Sequence, residues 1–194
     1  MYAAGHIGLA LLAFAPVGWL LCTRGHHRVA LGGLVLAALS ATLPDLDLFV
    51  PFLAHRGPTH TIWFVALCGL TAGVLGTVLL QSSRSRDRSL YLSGGFPGLV
   101  VALSVCSHLL GDVITPMGLR AFAPLTNSHA TLALVYAQNP TANSVLLLLG
   151  SVSTGVWLYR GTRLPPRVVR PPSSTGALEE ASSSPGHRPD VRED

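Results

Sequence analysis

Thr61-Ile-Trp-Phe-Val-Ala-Leu-Cys-Gly-Leu-Thr-Ala-Gly-Val-Leu-Gly-Thr-Val-Leu-Leu80 contains no Asp, Glu, Lys, Arg or His. A helix of about 20 such residues, rising 1.5 Å each, matches the roughly 30 Å hydrocarbon core of a bilayer. Four shorter apolar runs surround it, Ile7 to Cys22, Val29 to Leu43, Leu99 to Thr115 and Ser144 to Tyr159. By composition only the Thr61 run is full length; the others are tilted, buried in a bundle, or extended by polar residues that a protein interior satisfies. The chain as a whole is 49% hydrophobic and 11% charged over 194 residues, with mean hydropathy +0.48, too apolar for a soluble domain of this size. The expected fold is all-α: a polytopic membrane bundle of about five hydrophobic helices over residues 1–160. From Gly161 the sequence turns Pro-, Ser- and Arg-rich, a composition that cannot bury a core, so 161–194 reads as a disordered tail. Met1 to Gly5 carries no basic side chain and no small-residue cleavage site precedes the loop at Arg24, so the first run is expected to be retained.

The formal charge of +4 comes from Arg scattered over loops and tail without interleaved aromatics, which argues against nucleic acid and for membrane lipid headgroups as the partner. Arg24 and Arg28 follow the first run, Arg84, Arg86 and Arg88 the third, and Arg160, Arg163, Arg167 and Arg170 the fifth. Short basic loops resist translocation, so these are expected on the cytoplasmic side. Alternation then puts the N-terminus, the 42–60 loop and the 119–143 segment on the opposite face, with the tail cytoplasmic. Within 119–143, Thr131 to Ala137 reads as a short interfacial or re-entrant helix. Cys22, Cys68 and Cys106 lie inside apolar runs with no C-x-x-C spacing and read as small buried hydrophobes. The Gly69-x-x-x-Gly73 spacing suits close helix contact. There is no internal repeat.

Ionisable groups in a membrane segment are costly unless paired or functional. Here they gather at one level: His6 opens the first run, Asp45 and Asp47 end the second, His55 and His60 precede the third, and His108 and Asp112 lie in the distal half of the fourth. His108 and Asp112, four apart, share a helical face as two ligands of one ion would, and Gly111 beside them leaves room. Pro44 places Asp45 and Asp47 beyond a helix end, where a short extended segment could aim both carboxylates at the same point. Four His and three Asp are suitable ligands for a divalent ion, zinc or manganese foremost, and are numerous enough for two ions. Such a site would act through a metal-activated water, with Asp45, His60 and Asp112 as the candidate catalytic groups. His60 and Thr61 also open a helix, whose N-terminus favours an anion.

Gly5-His6, Leu43-Pro-Asp-Leu-Asp47, His55-Arg-Gly-Pro-Thr-His-Thr61 and Ser107-His-Leu-Leu-Gly-Asp-Val-Ile-Thr-Pro-Met-Gly118 resemble, in order and spacing, the YdjM family of inner-membrane-associated proteins classed as metal-dependent hydrolases. The resemblance runs to about residue 160. It implies a helical membrane hydrolase with His6, Asp45, Asp47, His55, His60, His108 and Asp112 on the recurring motif positions. The chain departs from the family in carrying Asn127-Ser-His129 and a neutral stretch where an Asp or Arg is common.

The expected function is hydrolysis of a phosphoester or lipid-like substrate reaching the outer membrane face laterally. Two alternatives assign the working part differently. In a transport or ion-handling protein the Asp/His cluster would line a pathway, although paired repeats and a midplane site are lacking; in a membrane adaptor the Arg-rich tail would be the working part. A zincin protease is excluded because no Glu precedes the tail. Single residues have quieter readings. Arg56 either contacts a phosphate-bearing substrate or neutralises Asp45 or Asp47. Thr59 caps the third helix, Asn139 and Asn143 cap the fifth or bond a substrate, and His26, His27 and His129 lie at headgroups or surface. Trp19, Trp63, Trp157 and Tyr159 read as interfacial anchors.

Overall fold

In the computed structural model the described residues are 1–80 and 95–163. They form five α-helices: α1 (Ala3–Thr23), α2 (His27–Ser40), α3 (Ile62–Leu80), α4 (Gly95–Val113) and α5 (Pro140–Arg163). Two short 3-10 helices, Pro44–Phe49 and Pro58–His60, lie between α2 and α3. Four α-helices contain stretches long and apolar enough to cross a membrane, of 21, 18, 19 and 22 residues in α1, α3, α4 and α5, where composition pointed to one. The added length comes from small and polar flanks, Ala3 to His6, Gly95 to Gly98 and Pro140 to Asn143, which the helix ends absorb. Only α2 is short. The Arg84, Arg86 and Arg88 loop and residues 164–194 lie outside the described residues; within them, α5 runs three residues past the expected boundary, to Arg163.

The turns follow from local chemistry. Gly25, at φ 83°, closes α1, with its N–H donating to Cys22 O and that of His26 to Leu21 O, a left-handed C-terminal cap that glycine alone adopts without strain. This reverses the chain tightly, so α2 returns alongside α1. Thr61 accepts the Phe64 N–H at the start of α3; Asn139 accepts the Ala142 N–H at the start of α5, with Pro140 in the first helical position. Thr61, not Thr59, therefore caps α3.

Helix α1 is central, packed on α2, α4 and α5, and α3 is held at the edge by α4. Small residues set these approaches. Gly8 faces the Leu146 backbone, Gly150 faces Gly8, and Gly18 lies under the Trp157 ring. A Cβ on Gly69 would meet Ala102 Cβ at 3.0 Å, and one on Gly98 would meet Gly69 O at 2.6 Å, so the glycine pair of α3 does form a close helix contact. Phe14, Val29, Ala30, Ala37, Val100 and Trp157 fill one half of the bundle. Trp157 is thus a core residue and not an interfacial anchor; it is 2% exposed because Gly18 leaves space for its indole. The outer faces are apolar as well: Leu39, Leu70, Leu79 and Leu148 are exposed, as lipid solvation requires. Cys106 is on such a face, whereas Cys22 is buried and Cys68 half-buried.

Thr131 to Ala137 forms no helix. Leu119 and Ala130 exchange backbone hydrogen bonds, and Leu132 and Leu134 donate to Val113 and Ile114 carbonyls at the end of α4. Those carbonyls lack partners within their own helix, and this strap supplies them.

Candidate metal centre

The N-terminal ends of α1, α3 and α5 and the C-terminal ends of α2 and α4 meet at one end of the bundle, and the polar residues meet with them. His6, His60, His108 and Asp112 are 0%, 0%, 0% and 1% exposed. His60 Nε2 lies 3.3 Å from His108 Nε2 and 3.3 Å from Asp112 Oδ2. His108 Nε2 is 3.6 Å from the same oxygen, and Asp45 Oδ1 is 3.6 Å from His60 Nε2 and 3.5 Å from His108 Nε2. His6 stacks on His108 with ring centroids 3.5 Å apart and brings its Nε2 to 3.6 Å from Asp112 Oδ1. Gly111 makes this possible, since a Cβ there would meet His6 Nδ1 at 3.2 Å.

The other faces of these imidazoles are held. His108 Nδ1 is 2.7 Å from the Ala41 carbonyl, which accepts only if Nδ1 carries the proton, so Nε2 of the neutral ring keeps its lone pair for the cluster. The Thr59 hydroxyl donates to Asp47 Oδ2 at 3.0 Å. With its one proton so committed, it can only accept from His60 Nδ1, 3.0 Å away, and His60 Nε2 is likewise left open. Asp47 Oδ1 is bonded to His55 Nδ1 at 3.0 Å, and Asp47 Oδ2 also accepts the Arg56 N–H at 3.1 Å.

The two neighbouring carboxylates therefore occupy different places. An extended Asp-Leu-Asp would aim both the same way; the 3-10 helix over Pro44–Phe49, at three residues per turn, separates them by about 120° around its axis. Asp45 faces the Nε2 atoms and Asp47 the Nδ1 atoms. Thr59 serves Asp47, and Arg56 pairs with neither Asp45 nor Asp47 through its side chain. Its guanidinium donates to Asp112 Oδ1 at 2.7 Å, Thr115 Oγ1 at 2.9 Å and Gly118 O at 3.0 Å. Arg56 sits at φ 60°, a left-handed conformation costing about 1–3 kcal/mol that the Asp47 and Asp112 contacts hold in place. The Met1 ammonium also reaches Asp112 Oδ1, at 2.7 Å. Thr115, fully buried, is a member that sequence reading took only for a helix end; its spacing of three from Asp112 was the available signal.

Burial disfavours charge on both His60 and Asp45, yet the groups of opposite charge beside them outweigh it. The Asp112 and Asp45 carboxylates hold the His60 imidazole above its ordinary pKa. The His108 and His60 imidazoles hold the Asp45 carboxyl well below the usual carboxylate range.

Two sets of potential ligand atoms lie within 4.8 Å of one another, His6/His108/Asp112 and Asp45/His55/His60. The donor set fits a divalent ion. Tetrahedral zinc with bonds of 2.0–2.1 Å separates its donors by about 3.3–3.4 Å, close to the spacings here. His6 Nδ1 and Nε2 and Asp112 Oδ2 are also buried with no hydrogen-bond partner, which is unfavourable unless something else binds them. Asp47 is in neither set, and its oxygens are engaged by His55, Arg56 and Thr59. Of the remaining residues, Asn139 and Asn143 act structurally: Asn143 accepts the Tyr2 N–H and donates to Ala137 and Asn139 carbonyls. His129 is exposed at the surface.

Fold and cluster together define a polytopic helical membrane protein with imidazoles and carboxylates sunk into one end of its bundle. The chain belongs to the YdjM inner membrane protein family, whose model matches residues 1–166. Comparison with curated proteins and with solved structures gives no match.

Proposed function

We propose that this chain is a metal-dependent hydrolase of a phosphoester or lipid-like substrate, with one or two divalent ions, zinc or manganese, held by His6, His60, His108, Asp45 and Asp112 and extended by His55. The observation that carries this reading is the convergence of the His60 and His108 Nε2 atoms on Asp112 Oδ2 and Asp45 Oδ1, with His6 Nε2 beside Asp112 Oδ1 and both ring nitrogens of His6 buried without a hydrogen-bond partner. A bound divalent ion supplies Lewis acidity and acidifies water. The chain's own groups do the rest. Asp47 and Ala41 O fix which ring nitrogens face inward. Arg56 offsets the charge of buried Asp112. Asp45, with 18% of its side chain exposed, is the cluster carboxylate best placed to exchange a proton with solvent; hydrolysis adds hydroxyl to the scissile centre and delivers that proton to the leaving oxygen.

Transport fits less well, because beyond the cluster the bundle is closed by Phe14, Val29 and Val100, each at most 1% exposed. The excess of Arg in alternate loops supports an orientation with the cluster at the non-cytoplasmic face of the membrane and the end of α5 at the cytoplasmic one. The test is elemental analysis of the purified full chain, with phosphodiester and phosphomonoester turnover measured before and after chelation. Wild type is expected to retain a divalent ion that Asp112→Asn and His108→Gln lose, together with turnover. Folded wild-type protein that takes up no ion would end the proposal.

A further inference from the structure

A cavity of about 1090 Å³ opens beside the cluster, between the first turns of α3 and the strap that follows α4. Its wall on the α3 side is apolar, made by Trp63, Phe64 and Leu67, with Leu119 opposite. That wall continues onto the outside of α3, where Leu67, Leu70, Val74 and Val78 are each at least 60% exposed. From Trp63 to Val78 this stripe runs about 22 Å at 1.5 Å per residue, longer than the roughly 15 Å half-thickness of a bilayer core. The cavity is thus open sideways to lipid.

Its other end is basic. Arg56, Arg120, His55 and His129 line it, and none of the described residues lining it is acidic. Arg56 is committed to Asp112. Arg120 is exposed and makes no side-chain hydrogen bond or ion pair among the described residues. His55 and Arg56 are also hydrogen-bonded into the cluster, through Asp47 and Asp112, so the basic end of the cavity and the candidate metal centre share a wall.

We infer that this groove binds a membrane lipid with an anionic phosphate headgroup, its acyl chain along Trp63, Phe64 and Leu67 and its phosphate held by Arg120. A soluble phosphate ester would satisfy the guanidinium and leave the apolar wall wet; a neutral diacyl lipid would cover the wall and leave Arg120 without an anion. Only an amphiphile with the anion next to the tail meets both demands. The inference deepens the proposed hydrolase by naming its substrate class, and rests on that proposal for the cutting step alone; binding is separate.

The test uses the full chain in phosphatidylcholine nanodiscs containing phosphatidylglycerol with a photoreactive acyl chain, and maps the cross-linked peptides. Labelling is expected on residues 62–67 and 117–124, competed by unlabelled phosphatidylglycerol but not by glycerol phosphate. It should fall about tenfold in Arg120→Gln, the loss expected for a charged hydrogen bond. Arg120→Lys should retain most of it, and Leu67→Trp, which fills the groove, should lower it without touching the charge. Labelling equal to that of a photoreactive phosphatidylcholine and indifferent to Arg120→Gln would mean annular lipid only and overturns the inference, as would full competition by glycerol phosphate. Metal content of the same samples separates the two proposals: selective lipid labelling without metal leaves the groove and removes the hydrolase, and metal without selective labelling does the reverse.

Discussion

Changing Asp47 to Asn should weaken metal binding although Asp47 holds no position among the converging ligand atoms. Asp47 Oδ1 accepts from His55 Nδ1, and Oδ2 accepts from the Arg56 N–H and the Thr59 hydroxyl. An amide keeps one acceptor. Two donors demand it at the Oδ2 position, so the NH2 group turns toward His55 Nδ1. That nitrogen must then accept, its proton moves to Nε2, and the atom offered to the ion is lost. Loss of a residue that orients a ligand costs about 10- to 100-fold in metal affinity, and one hydrogen bond to a buried charge is worth about 1.5–3 kcal/mol of stability. The assay is competition with a calibrated chelator on wild type, Asp47→Asn, His55→Gln and the double variant. If Asp47 acts through His55, the double variant binds metal about as weakly as His55→Gln alone. A loss in Asp47→Asn equal to that of Asp112→Asn, and undiminished in the His55→Gln background, would put Asp47 on the ion itself and refute the orienting role.

Three further outcomes follow from the same geometry. Gly8→Ala, whose Cβ would collide with the Leu146 backbone, should destabilise the α1–α5 contact by about 1–3 kcal/mol in a thermal melt, whereas Gly155→Ala, with nothing within 4 Å, should be neutral or slightly stabilising. Metal affinity should rise with pH through neutrality: the His60 pKa is raised in the metal-free protein, so binding must expel a proton below that value, while Asp45, with its pKa depressed, is already ionised and contributes no slope. Chelator competition at several pH values would show a gain approaching about tenfold per pH unit for one displaced proton, and a flat profile contradicts it. For sidedness, a cysteine at exposed Leu125 should react with an impermeant maleimide from outside intact cells, and one at Arg24 only after permeabilisation; the reverse pattern inverts the proposed orientation.

The helices were legible because a bilayer imposes a plain rule, and each apolar run became a helix within a few residues of its ends. What composition understated was length, since Gly95 to Gly98 and Pro140 to Asn143 do not look apolar yet lie at helix ends that tolerate them. The seven polar positions also stood out, because charge and imidazole are rare among 160 residues of apolar sequence. Their division of labour did not. Asp45 and Asp47 read alike until the backbone between them is known to coil, and the cap expected at Thr59 falls two residues later, at Thr61.

Sequence alone determined that this chain forms membrane helices and that its polar groups gather at their ends, because both follow from the cost of placing charge or unpaired backbone in hydrocarbon. Tertiary structure decided which nitrogen of each imidazole faces inward, that Arg56 serves Asp112, that Trp157 is core, and that an apolar groove with an Arg at its rim adjoins the cluster. Those depend on contacts between residues such as Gly18 and Trp157, or Arg56 and Asp112, whose separation along the chain leaves no local pattern to read.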